Sequence, residues 1–465
     1  MQKLNVQTDF LSLLKEHIKL SSYIPQEFRK AFYKDTGRPR GVSIESFLWF
    51  CILQSYIGVN DATLLFLVKI CSELREFCGF ESIPDADKFT LFRQNFVEYI
   101  AMVFEKFVDV TEPICHALDP KKSGYLIYDT SGSEANVKEN NPKFINSKIN
   151  NAKKIAAKNP EINAHALAYS QLPDVSETNP FVNQQYINGH FCYAHKFGMI
   201  TNGLGIIRHI SFFDEDFKRC HPETVSQKTD NPDIDKEVIR NLRFLLDSAS
   251  LKPVLLDFFA AHPHFWRTYH TFLGDSSFDK YDFYSMLRND FHFHRICIPL
   301  NPRNSNSAHS DFDVNGTPIC PKDKTPFVFH SICRGKNRSL RFKYVCHKSV
   351  KIKGAANPVC ICDNPCTINS YKCTYTYPDK NLRLYPGIPR GTLHWDYLYR
   401  HRTLVERSIF LIKHPLGGVK RKSFSSRTAK ADLFIAGIAH LIGVILAVAS
   451  NNSILFKSVR KLMSA

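Results

Sequence analysis

Between Tyr125 and Pro302 the order of apolar runs leaves few folds open. "YLIYD" (125–129) is a short β-rich run ending in a carboxylate, and "HFCYAHKFGMITNGLGIIRHISFFD" (190–214) is two such runs around the turn-forming "TNGLG". "DIDKEVIRNLRFLLDSAS" (233–250) then has helical periodicity with acidic residues in its first turn. The stretch "YHTFLGDSSFDKYDFYSMLRNDFHFHRICIPLNP" reads strand, Asp275, helix, strand. Strand, hairpin, helix, strand, helix, strand is an α/β order. Ahead of it, residues 1–115 read as a compact helical domain, with apolar runs such as "SFLWFCILQSYIG" opened at Ser43 by the basic turn "DTGRPRGVS". Arg38 and Arg40 of that turn are candidates for touching a phosphate backbone, or plain surface cations. The α/β order occupies 116–300, except for a polar, exposed excursion from Glu139 to Asn188. Residues 301–390, rich in Pro, Asn, Lys and Cys with little periodicity, read as an insertion. A last helical part covers 391–465.

A chain of 465 residues with a net charge of +17, its cations spread along the whole length, favours a polyanionic partner, nucleic acid ahead of a membrane surface. The N-terminus, acidic early and without an uninterrupted apolar stretch, does not read as a signal peptide, so a cytoplasmic location is expected. "LFIAGIAHLIGVILAVA" (433–449) is the one membrane candidate; being short and holding His440 and two glycines, it reads as a buried helix. Fourteen cysteines without a secretion signal argue for reduced thiols or a metal site, against a disulfide framework.

The segment "YLYRHRTLVERSIFLIKHPLGG" (397–418) is built of helix formers. On one continuous α-helix, Tyr399, Arg402, Glu406 and Lys413 fall within an arc of roughly 60°. An amphipathic surface helix with an Arg402–Glu406 ion pair is one reading of that stripe. A reactive wall is the other: two-metal phosphoryl transfer needs carboxylates from distant parts of the chain, and Asp129, Asp275 and Glu406 suit that role.

Those four residues resemble the Y-x2-R-x3-E-x6-K signature of IS4-type DDE transposases, with every spacing matched. "IYDTSGSE" resembles the family segment with the first catalytic aspartate and "LGDSSFDKYDFY" that with the second. "GRPRGVSIESFLWFCILQSYIG" and "LREFCGFESIPDADKFTLFRQNF" are similar to the helical domain ahead of the catalytic domain in bacterial insertion-sequence transposases. The resemblance implies an RNase H-like catalytic core, with Asp129, Asp275 and Glu406 holding Mg²⁺ or Mn²⁺. It also implies that Tyr399, Arg402 and Lys413 contact DNA phosphates. The implied activity is binding the terminal inverted repeats of an element as a homodimer, cutting them, and joining the 3′-hydroxyls to target DNA. Relatives with this signature release their element through hairpin ends. Asp279, Asp282 and Asp257 stand as alternatives to Asp275.

Lys420, Arg421, Lys422 and Arg427, just past the signature, read as further phosphate contacts. So do Arg334, Arg338, Arg341, Lys351 and Lys353 in the insertion. Among these lie Cys320, Cys333, Cys346, Cys360, Cys362, Cys366 and Cys373, with His347 beside Cys346. Thiols so concentrated in a segment expected to lack its own core read either as structural Zn²⁺ ligands or as free cysteines.

Overall fold

The computed structural model describes residues 10–34, 40–159, 161–187, 190–224, 248–301, 311–335, 338–418 and 422–463. The expected helix at 233–250 therefore lies almost wholly outside the described residues, as do Arg38, Lys420 and Arg421.

The helices that carry the argument are α1 (Ile44–Ile57), α2 (Ala86–Asn95), α3 (Val97–Leu118), α4 (Pro142–Ala156), α5 (Ala164–Ser170), α6 (Leu251–Ala261), α7 (Tyr281–Asn289), α8 (Leu393–Tyr399), α9 (Thr403–Lys413) and α10 (Ser426–Ala449). The strands of the main sheet are β1 (Tyr125–Glu134), β2 (Asn183–Ile187), β3 (His190–Asn202), β4 (Ile207–Phe212), β5 (Thr271–Leu273) and β6 (Arg295–Cys297). Local chemistry explains several boundaries. Ser43 starts α1 as expected, its side chain accepting from Ser46 N, and Gly58, with φ 72°, ends it. The hairpin between β3 and β4 turns where Asn202 Oδ1 accepts from the amides of Leu204 and Ile206, and Gly205 takes the left-handed φ of 79° that a side chain would resist.

The six strands form a mixed sheet in the order β2-β3-β1-β5-β6, with β4 also on β3. The β3–β4 pair is antiparallel. β1 and β5 run parallel through Tyr125–Thr271, Leu126–Phe272 and Ile127–Leu273, and β5 runs parallel to β6. The chain is thus a mixed α/β protein with a helical N-terminal region.

Packing divides it into two units: Met1–Ser123, Asp129–His262 and Val405–Ala465 form the first, and Gly124–Tyr128 with Pro263–Leu404 the second. In the first, α10 is the central strut. It is long and apolar enough to cross a membrane, yet 89% of its most apolar window is buried inside the protein. Gly437 lets it approach α3, because a Cβ there would lie 2.8 Å from the ring of Phe104. Tyr56 of α1 donates to Ala439 O at 2.6 Å. Charges buried here are compensated. Arg93 of α2 donates to Gln54 and Asp61 at 2.6 and 3.1 Å and pairs with Asp432 at 3.0 Å. Arg208 of β4 reaches Glu112 at 2.9 Å and Thr111 at 2.7 Å on α3. The polar excursion is structured as α4, α5 and β2, and Glu139 within it is buried, accepting from Ser176 Oγ and Glu177 N at 2.9 and 2.8 Å.

In the second unit the insertion corrects the expectation of a segment without a core. It contains β7 (Val328–Gly335), β8 (Arg338–Val345), β9 (Ser349–Val350), β10 (Val359–Cys360) and β11 (Cys373–Thr376). β11-β8-β7 form an antiparallel sheet and β9 pairs with β10. Cys320, Phe327, Phe342, Tyr344, Cys346 and Tyr385 make its core. The period-two signal is present in "LRFKYV", where Phe342 and Tyr344 face inward and Arg341 and Lys343 alternate with them. Its short strands and abundant polar residues hide that signal.

Candidate active site

Asp129 follows the fully buried run Tyr125–Tyr128 of β1, and its carboxylate accepts from Thr130 N at 2.9 Å. Asp275 follows β5 and caps a short 3₁₀ turn over Ser276–Phe278, accepting from Ser277 N at 2.8 Å. Asp275 thus stands two residues past the end of β5, as the sequence suggests, whereas Asp129 lies in the middle of β1, which runs on through the small polar residues to Glu134 instead of ending at the aspartate.

The alternatives to Asp275 separate on contacts. Asp279 is fully buried. It holds Arg383 through two hydrogen bonds of 3.0 and 2.6 Å and accepts from Tyr284 Oη at 2.9 Å and Asn301 N at 2.7 Å. Such a carboxylate is committed to the fold. Asp282 is exposed in the first turn of α7. Asp257 lies within α6 rather than at a strand end, 3.2 Å from His221 Nε2.

The signature segment departs from the expected single helix. α8 ends at Tyr399, a 3₁₀ turn spans Arg400–Arg402, and α9 begins at Thr403. Each 3₁₀ residue advances about 20° further than an α residue, so Tyr399 is offset by about 60° from the stripe assumed for one helix. Tyr399 stacks on Trp395, ring centroids 4.7 Å apart. Within the second unit, Arg402 Nη2 lies 3.8 Å from Asp275 Oδ2, an ion pair between the signature arginine and the second aspartate.

On α9, Val405, Ser408, Ile409 and Ile412 face inward and Glu406 is exposed. Ser408 Oγ donates to Gly205 O at 2.7 Å, tying the helix to the β3–β4 turn. Lys413 is 3% exposed and its Nζ donates to Ser131 Oγ at 3.2 Å. Ser131 is two residues beyond Asp129 on β1, so within the first unit the signature lysine meets the strand of the first aspartate. Burial lowers the Lys413 pKa, and the nearby Cys192 and Glu134 offset this only in part. Glu134 in turn pairs with Lys422 at 2.5 Å. Arg427 is engaged by Glu98 and Gln94 O, each at 2.7 Å. Arg40 is engaged too, its guanidinium 4.4 Å from the centroid of the Phe32 ring.

The seven insertion cysteines carry free thiols. Cys320 and Cys346 lie in the insertion core and Cys366 packs against it. Burial, a hydrogen bond to Cys320 and the proximity of Cys320 and Cys346 raise the Cys366 pKa. Burial raises that of Cys346, opposed by the Lys348 amide and reinforced by Cys320 and Cys360. Among the described residues, no three of these sulfurs lie within 4.8 Å of one another.

One cluster was not singled out from sequence. His262, fully buried at the end of α6, has Nε2 2.6 Å from Glu105 and Nδ1 2.6 Å from Asp109, both on α3. His209 of β4 adds a second imidazole 3.6 Å from Glu105. Burial opposes a charge on this imidazole, but Glu105 and Asp109 outweigh it and raise the His262 pKa. Carboxylates and imidazole here also have the chemistry to hold a divalent cation, and His264 follows two residues along the chain. The available signal was the acidic stripe of α3, where Glu98, Glu105, Asp109 and Glu112 fall on one helix face. Comparison of the chain with family models, curated proteins and solved structures gives no match to any of them.

Proposed function

We propose that this chain is a DDE transposase of the insertion-sequence type, which binds the ends of its element, cuts them by metal-dependent phosphoryl transfer and joins them to target DNA. The observation that carries the reading is that two members of the four-residue signature engage the two aspartate segments: Arg402 pairs with Asp275, and Lys413 bonds to Ser131 beside Asp129. A chance amphipathic helix has no reason to make both contacts. The strand order, an antiparallel hairpin on one side of β1 and two parallel strands on the other, supports an RNase H-like core. The net charge of +17 supports a DNA partner, double-stranded at the element ends and target, in the cytoplasm. A homodimer on DNA fits the need to handle two ends.

In this reading Asp129, Asp275 and Glu406 supply the hard carboxylate oxygens that Mg²⁺ or Mn²⁺ prefers. The ions would activate the attacking hydroxyl and neutralise charge on the scissile phosphate. Arg402 orients Asp275 and supplies a cation beside it. Lys413 holds the strand of Asp129 through Ser131. Lys422 and the exposed cations beyond it supply the sequence-independent attraction.

The test is cleavage of a plasmid carrying the element's ends with Mg²⁺, comparing wild type with Glu406→Gln. Excision and joining by the wild type, with none by the variant while both bind the ends, is expected. Cut ends without joined products would make the chain a nuclease. Binding without cleavage by either protein would make it a transposase-derived DNA-binding protein.

A further inference from the structure

The insertion has a chemistry that the DNA-directed reading leaves unused. Its core consists of six buried residues, two of them cysteines. A β-rich segment with so few buried apolar side chains ordinarily needs a covalent or metal cross-link to hold its loops.

The backbone brings four cysteines toward one place. Cys320 opens a tight turn closed by Lys324 N to Cys320 O at 3.0 Å and Cys320 N to Thr325 O at 2.8 Å. Lys324 adopts a left-handed φ of 58° to make it. Cys346 leaves β8 into a second turn, with Ser349 N bonded to Cys346 O at 3.0 Å. The β9–β10 register sets Cys360 opposite Ser349. Cys366 packs on the core and hydrogen-bonds to Cys320. The other three cysteines have different neighbours. Cys362 lies against Lys348 and Asn364 O, Cys333 pairs across the sheet with Arg341, and Cys373 pairs with Val345.

We propose that the insertion is a structural zinc module in which Cys320, Cys346, Cys360 and Cys366 are the thiolate ligands. Tetrahedral zinc with Zn–S of about 2.3 Å sets its sulfurs roughly 3.7 Å apart. As a set the sulfurs stand further apart than that, and a rotamer change, which moves a cysteine sulfur by about 3 Å, is the motion that metal binding would require of them. Four thiolates around one Zn²⁺ leave a local charge of about −2. Lys348, 3.8 Å from Cys362 Sγ and paired with Asp323 at 2.9 Å, is a cation close to this cluster.

The experiment is zinc content of the full chain purified under reducing conditions, by elemental analysis, beside the absorption spectrum of the Co²⁺-substituted protein. About one zinc per chain is expected, lost in Cys346→Ala and Cys366→Ala and retained in Cys333→Ala, Cys373→Ala and His262→Gln. Should the first two variants fail to fold, the wild-type Co²⁺ spectrum decides, since four thiolates give an intense sulfur-to-metal charge-transfer band in the near ultraviolet. A spectrum without that band overturns the proposal. So does zinc that follows His262 rather than the cysteines, or a zinc-free protein whose seven insertion thiols all titrate. Two missing thiols without zinc would mean a Cys320–Cys366 disulfide, which also overturns it. None of these readouts depends on DNA cleavage, so the zinc module and the transposase reading fail separately.

Discussion

Replacing Asp279 by asparagine separates a structural carboxylate from a reactive one. The side chain keeps its size, but Asp279 now accepts four hydrogen bonds on two oxygens, two of them from Arg383. An amide offers one oxygen and turns an NH₂ toward donors that had faced a carboxylate. Removing one partner of a buried ion pair costs about 3–5 kcal/mol. The Arg383 side chain is 19% exposed and regains some hydration, which argues for the lower end, about 3 kcal/mol. For a unit of roughly 150 residues that lowers the melting temperature by about 6–12 °C. Asp275→Asn behaves oppositely: asparagine caps a turn as well as aspartate does, so its stability change stays within about 0.5 kcal/mol while cleavage is lost. Calorimetry of the three proteins, with plasmid cleavage assayed well below the lowest transition, reads both quantities. An Asp279→Asn protein that melts with the wild type and does not cleave would refute this division of roles.

Two further outcomes follow from the site. The His262 pKa is raised in the fold, so its ion pair contributes fully below the unfolded value of about 6.5 and is lost as pH rises through the folded value. Glu105, lowered because its bonds to His209 and His262 outweigh the burial that opposes them, contributes above about 4.3 and loses its contribution as pH falls through its folded value. The melting temperature of the wild type should therefore fall as pH rises above about 6.5, and His262→Gln should flatten that slope; an unchanged slope would mean that the imidazole makes no such ion pair. Lys413→Met removes a buried charge with little change of volume, so thermal stability should stay within about 1 kcal/mol of wild type or rise, while cleavage is lost. Lys413→Arg overfills the site and should cost about 1–3 kcal/mol. Cleavage by the Lys413→Met protein would show that the bond to Ser131 carries no catalytic role.

Much of the scaffold was legible because its signals are local. "YLIYD" is β-rich and apolar, Asn202 and Gly205 specify the hairpin turn, and Ser43 and Gly58 bracket α1. The break at Arg400–Arg402 was not legible, because "RHR" fits an α-helix as readily as a 3₁₀ turn. The choice between Asp275 and Asp279 turns on Arg383, 104 residues from Asp279. No spacing rule reaches that far. The Glu105–His262–Asp109 cluster draws on two helices in the same way, and the insertion core is assembled from cysteines and aromatics in short strands that composition alone made look like loop.

The position of α10 has a consequence for synthesis. Tyr56 finds its acceptor 383 residues later, at Ala439, which a ribosome adding about 5–20 residues per second reaches roughly 20–80 s afterwards. During that interval α1 and α3 have emerged with the apolar faces that α10 will cover, and the counter-charge Asp432 for Arg93 does not yet exist. The N-terminal helices therefore wait, unfinished, for the last long helix. A message cut short before codon 426 yields a chain whose helical region cannot close, so fragments are poor competitors for whatever the finished protein binds.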